Sequence, residues 1–225
     1  MSQIHESRKS DSPYIDTIWK TKNLSDGVYV ATPDGSWDLI VAILQDGSKF
    51  MMLTGQATKP QKVPYKAGTG SVVISFAPGA YMPQYPADEM LNNTIILPNF
   101  NADQFMLAGH TFTFPTYENA EQLVEELVRL NILKNDYVVD GELRGTPRAM
   151  SDRGKQRHFA RTTGLTKKYL DQIKQAQRAV VLLQQGKTPI EAAVEAGYTD
   201  QPHLAKSLKK IMETKPSDVK DIHKL

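Results

Sequence analysis

The residues best equipped for chemistry lie in the last third of the chain, and they are bases and amides rather than nucleophiles. In the run DRGKQRHFART, Arg153, Gln156 and Arg157 supply two guanidinium forks and a carboxamide at close spacing. A carboxamide can pair bidentately with adenine and a guanidinium with guanine, so this set suits the reading of base edges. Gln201, His203 and Lys206 form a second polar group further on. Lys167, Lys168, Lys209 and Lys210 are point charges on flexible stems, better matched to phosphates than to bases. Taken singly, each also reads as a solvated surface residue, and His203 as a structural histidine.

Other chemistries find less support. The chain has no cysteine, which excludes disulfides, thiolate metal sites and thiol nucleophiles. A metal-binding barrel needs several convergent His and Glu ligands, yet the β-rich region holds only His110, with His5 in the N-terminal segment. No phosphate-binding glycine loop and no recognisable nucleophile setting is present. Nothing argues for catalysis, and no cofactor is implied.

A polyanionic partner is supported by charge. The net charge of +2 conceals a division near residue 140. Residues 141–225 carry 17 Lys and Arg against 9 Asp and Glu, a balance of +8, and the preceding part carries 10 against 16, a balance of −6. A basic half attracts nucleic acid and an acidic half does not compete for it. The length of 225 residues with 40% hydrophobic and 23% charged residues fits one large or two small globular domains. The polar start MSQIHESRKSDSP is no signal peptide, and LIVAIL at 39–44 is too short to span a bilayer. The expectation is a cytoplasmic protein without membrane contact, and residues 1–13 read as a disordered tail.

The elements that would position these groups are legible in outline. GVYVAT, SWDLIVAIL, SKFMML, SVVISF and FMLAGHTFTF, between 27 and 114, read as strands separated by PDG, DGS and AGTG turns, so 14–116 reads as an all-β domain. At 117–135 the period becomes helical, with Leu123, Leu127 and Leu130 on one side, and a connecting helix is expected. It could pack on the β-domain, bridge the halves or pair with a copy of itself, and monomer and homodimer stay open. In 136–225 the pattern is of short helices. Ser151 is an N-cap and Gly164 a stop around a polar helix whose one strong apolar residue is Phe159. A strut helix follows at about 167–185, with Tyr169, Ile173, Ala176, Val180 and Leu183 along one face. Thr188 and Pro189 open the next helix, with Ile190, Ala193 and Val194 on its inner side. Gly197 allows a sharp reversal, and Asp200 caps a last helix burying Leu204, Leu208 and Ile211.

Two motifs in this region carry a resemblance. A-x-x-x-G-Y-x-D followed by Q-x-H-L-x-K-x-L-K and Pro216 resembles the second helix-turn-helix of the AraC family of bacterial transcription regulators. SDRGKQRHFARTTG is similar to that family's first recognition helix, and the strut lies between the two units. The resemblance covers about residues 136–219. It implies an α+β multidomain architecture, an all-β cupin-like or jelly-roll-like barrel followed by an all-α tandem helix-turn-helix domain. It further implies a sequence-specific regulator binding double-stranded DNA, with RNA polymerase as a further contact. Its DNA-facing residues would be Ser151, Arg153, Gln156, Arg157, Gln201, His203, Lys206 and Lys209. Three positions depart from the family pattern: Lys155 stands in an apolar slot, Glu213 where Gly is usual, and Ala160 where a basic residue is common. With Lys155 sharing a helix face with Phe159, replacing it by Leu is expected to stabilise the helix.

PDGSWDLIV at 33–41 and FAPGAYMPQYP at 76–86 resemble, less specifically, the sensor barrel of some members of that family. This implies a small-molecule effector, with Trp37, Tyr81 and Tyr85 as candidate ligand-binding residues. From the residues alone the barrel's aromatic side chains read first as core, and the ligand role rests on the resemblance. The alternative is a small-molecule-binding protein or enzyme whose helical half no longer binds DNA.

Overall fold

The computed structural model describes residues 2–221. The last residues of the expected 136–225 domain, 222–225, and Met1 of the expected tail lie outside the described residues.

Thirteen strands and seven α-helices follow one another among the described residues. The strands are β1 (Gln3–Arg8), β2 (Ile15–Asn23), β3 (Gly27–Ala31), β4 (Asp38–Ile43), β5 (Lys49–Thr54), β6 (Gln61–Tyr65), β7 (Gly70–Phe76), β8 (Ala80–Tyr81), β9 (Thr94–Leu97), β10 (Asn99–Asn101), β11 (Gln104–Leu107), β12 (His110–Thr113) and β13 (Lys134–Asn135). The helices are α1 (Ala87–Met90), α2 (Ala120–Arg129), α3 (Tyr137–Arg144), α4 (Asp152–Thr163), α5 (Lys167–Gln184), α6 (Pro189–Ala196) and α7 (Gln201–Ile211), followed by a 3-10 helix over Pro216–Asp221.

Pairing divides the β-region into a six-stranded antiparallel sheet in the order β1-β2-β7-β4-β5-β9, a three-stranded sheet β10-β11-β12, and the pairs β3-β6 and β8-β13. Alternation along the strands sets the core face. Leu39 and Val41, Met51 and Leu53, and Val72, Ile74 and Phe76 point to one side of the large sheet. They meet Phe105, Leu107 and Phe112 of the small sheet and Leu123, Val124 and Leu127 of α2. The helix expected to connect the halves therefore belongs to the β-domain's own core. FMLAGHTFTF, read above as one strand, is the hairpin β11-β12: Ala108 and Gly109 take φ of 50° and 81°, and Leu107 pairs with His110. Left-handed backbone at both central residues is what a two-residue hairpin turn demands.

Residues 3–8 correct the expectation of a disordered tail over 1–13. Gln3–Arg8 pairs with β2 from Gln3 opposite Asn23 to Arg8 opposite Ile18. An edge strand needs backbone hydrogen bonds more than apolar side chains, so its polar composition concealed it. Arg8 anchors its end, donating to the Tyr117 carbonyl at 2.7 Å and pairing with Glu121 of α2.

A second core holds the helical half together, with Phe159, Leu170, Ile173, Val180, Leu204, Leu208 and Ile211 buried in it. Along α5 the buried positions are Leu170, Ile173, Ala176, Ala179, Val180 and Leu183. Tyr169 is instead half-buried, and its hydroxyl donates to the Thr58 carbonyl of the β-region at 3.0 Å. The inner side of α6 also differs from expectation. Ala192, Ala193 and Ala196 are buried, whereas Ile190 and Val194 are 64% and 70% exposed. Small residues on that side allow close approach to neighbouring helices, and Ile190 and Val194, one turn apart, face outward.

Candidate functional site

α4 is built for two-sided work. Ser151 caps it, its hydroxyl accepting from the Gly154 N–H at 3.2 Å. Gly164 ends it at φ 67°, where an added Cβ would lie 2.8 Å from the Ala87 carbonyl oxygen. Arg153, Gln156 and Arg157, with Ala160, share one exposed face at helical spacing. The opposite face buries Phe159, Thr162 and Thr163.

That inner face is tied to Asp136, the N-cap of α3, whose carboxylate accepts from the Val138 and Val139 N–H groups. His158 Nδ1 lies 2.7 Å from Asp136 Oδ2, and Arg161 and Thr162 donate to the same oxygen at 2.7 and 2.9 Å. Burial alone would raise this carboxyl; hydrogen bonds from His158, Arg161 and Thr162 outweigh it and hold the group below its ordinary value. Arg161 also lies 5.4 Å from the centre of the Tyr81 ring. Lys155, on the flank of α4, pairs with Glu142 of α3 at 2.7 Å.

α6 and α7 are joined tightly. Thr188 and Glu191 form a reciprocal capping box on α6, Gly197 turns the chain at φ 83°, and Asp200 caps α7 by accepting from the His203 N–H at 2.7 Å. The connection from α3 to α4 is longer, running from Gly145 to Ser151. Gln201, His203, Lys206 and Lys209 are exposed on α7, while Leu204, Leu208 and Ile211 face inward. The His203 ring packs edge-on against Tyr198 at 5.2 Å. Of the remaining lysines, Lys210 lies over the Tyr169 ring at 5.7 Å and Lys167 pairs with Asp171 at 2.8 Å.

Trp37, Tyr81 and Tyr85 come together around one small cavity of about 30 Å³. It lies at the junction of the two halves rather than deep in the β-core. Leu53, Thr54, Gln56, Met82 and Met90 complete the β-side wall, and Thr162 and Thr163 of α4 form the other. Trp37 is fixed in place, its Nε1 donating to the Ala80 carbonyl at 2.8 Å and its ring stacked 3.9 Å from Phe76. Phe76, Phe105, Phe112 and Phe114 are core.

No protein-family model and no curated protein matches the chain. Among solved structures it aligns with ToxT from Vibrio cholerae at 10% identity and a TM-score of 0.38, over 99% of each chain. An apo form of ToxT from strain SCE256 aligns at 8% identity and 0.43, over 100% of this chain and 98% of that one. ToxT bound to (E)-4-(8-methylnaphthalen-1-yl)but-3-enoic acid aligns at 9% and 0.34, over 99% of each. At such values the overlap establishes neither a shared activity nor a shared ligand.

Gln56, Asp136, Glu142, Thr162 and Thr163 are not among the site residues expected from the sequence. Asp136 was recoverable, since it precedes a helical pattern as a capping residue would and His158, Arg161 and Thr162 share one helix face. For Gln56 the sequence offers no signal. Among the described residues no helix is long and apolar enough to cross a membrane, and no group of three His, Asp or Glu side chains is placed to hold a metal ion.

Proposed function

We propose that this chain is a sequence-specific transcription regulator of the AraC type that binds double-stranded DNA through two helix-turn-helix units, α3–α4 and α6–α7. A small molecule in the cavity between the β-domain and α4 controls its grip. The observation that carries this reading is the double character of α4. Its exposed face carries Arg153, Gln156 and Arg157, and the residues behind them, Thr162 and Thr163, line the cavity. A molecule filling that cavity presses on the helix that would enter the major groove. Outward base-reading side chains with lysines beside them are the arrangement a recognition helix requires. The −6 and +8 charge division favours duplex contact through the helical half alone.

A salt series on a fragment from upstream of the gene tests this. Affinity should fall steeply as salt rises, because neutralised phosphates rebind their counterions. Footprinting one chain should show two protected patches about 10 bp apart. Failure to bind at low salt would favour a small-molecule-binding protein or enzyme whose helical half has lost DNA.

A further inference from the structure

Gln56, just after β5, is 3% exposed, and both Oε1 and Nε2 of its carboxamide are buried without a hydrogen-bond partner. Buried polar groups in folded proteins are nearly always paired, so an amide buried beside a cavity with both ends unpaired points to something that completes it. Four other polar side chains on the wall are already committed. Trp37 Nε1 donates to the Ala80 carbonyl, and the Thr54 hydroxyl accepts from the Asp38 N–H at 3.2 Å. The Thr162 and Thr163 hydroxyls donate to Asp136 and to the Phe159 carbonyl.

We propose that Gln56 recognises a small neutral ligand head carrying a hydrogen-bond donor and acceptor side by side, a primary carboxamide. The proposal rests on the reading of this cavity as the effector site and adds the chemistry of what enters it. A carboxamide answers Oε1 with its N–H and Nε2 with its carbonyl. A carboxylate would set negative charge against Oε1, and no cationic side chain lines the cavity. Arg161, the nearby cation over Tyr81, is held by Asp136. A short apolar substituent would lie against Trp37, Leu53 and Met90. About 30 Å³ is room for roughly two waters, which is the scale of the amide head alone. A larger substituent on it would reach the part of the wall made by Thr162 and Thr163 and so would bear on α4.

The test titrates the full chain, followed by tryptophan emission, with propionamide, 1-propanol and propionate at pH 8. Propionamide should give a saturable change at least tenfold more readily than either of the others, and Trp37→Phe should remove it. Gln56→Leu should erase the preference for propionamide while leaving any response to 1-propanol, with Gln56→Met as the second variant should the first fold poorly. Equal responses to propionamide and 1-propanol in the natural chain would leave the effector site standing and overturn the role of Gln56. A preference surviving in both variants would overturn it too. Silence from all three probes would overturn both readings and leave water as the partner of Gln56.

Discussion

The Lys155 ammonium sits 2.7 Å from a carboxylate oxygen of Glu142, with the two side chains only 25% and 10% exposed. Lys155 therefore does not snorkel to water past an apolar neighbour, as its place beside Phe159 suggests; it binds α4 to α3. Lys155→Leu should destabilise the chain, by about 1–3 kcal/mol, because it strands a largely buried carboxylate, and this reverses the expectation from the sequence. Thermal denaturation checks it, and Lys155→Leu combined with Glu142→Leu should recover most of the loss. A higher melting temperature in the single variant would count against the pair.

Glu213, after α7, holds a left-handed backbone with φ of 51°. A side chain there is disfavoured by contact between Cβ and the backbone, and glycine removes that contact. Glu213→Gly should raise stability by roughly 0.5–1 kcal/mol, the gain being reduced by glycine's greater freedom in the unfolded chain. Urea denaturation should show a higher midpoint with an unchanged slope.

Arg157 and Lys209 are both exposed, yet the proposed DNA complex gives them different tasks. Arg157→Ala should cost roughly 1–3 kcal/mol and relax the preference at one or two base pairs. Lys209→Ala should weaken binding to all sequences alike and flatten the salt dependence. Competition binding with single-base operator variants separates the two, and equal sequence-independent losses would remove Arg157 from base reading.

Burial and the neighbouring Asp38 charge push the Asp34 carboxyl up to about 7 from its ordinary 3.8, and burial raises Asp38 to about 6 against hydrogen bonds from Ser75 and Thr54. Asp34 opens the turn whose Gly35 packs on Leu170 of α5, a Cβ there falling 3.1 Å from the leucine methyl. A carboxyl raised in the folded state binds its proton more tightly there, so stability is present at low pH and lost as pH rises through about 7. His5, lowered by burial, opposes this weakly, and Glu121 and Asp136, both lowered, act only toward acid. The melting temperature should fall by several degrees between pH 5.5 and 8, and Asp34→Asn should flatten that slope. A slope unchanged in the variant would assign it to other groups.

Local rules were readable without a structure. The caps at Ser151, Thr188 and Asp200, the stops at Gly164 and Gly197 and the face of α5 all follow from neighbours a few residues apart, where backbone geometry fixes which side chains meet. The edge strand β1 escaped notice because backbone pairing leaves no pattern in side-chain polarity. Apolar residues at helical spacing usually mark the buried face, which puts Ile190 and Val194 inside, but alanines take that face and let the helices close up.

The sequence by itself determined a basic helical half, an acidic β-rich half and which short stretches carry amides and guanidinium groups at helical spacing, since composition and period are properties of neighbouring residues. Only the tertiary structure decided that Asp136 gathers His158, Arg161 and Thr162, that Lys155 meets Glu142, and that Gln56 faces a cavity shared by Trp37 and α4. Those groups lie on different elements, and their meeting depends on how two separate cores dock. Chain spacing does not encode that docking.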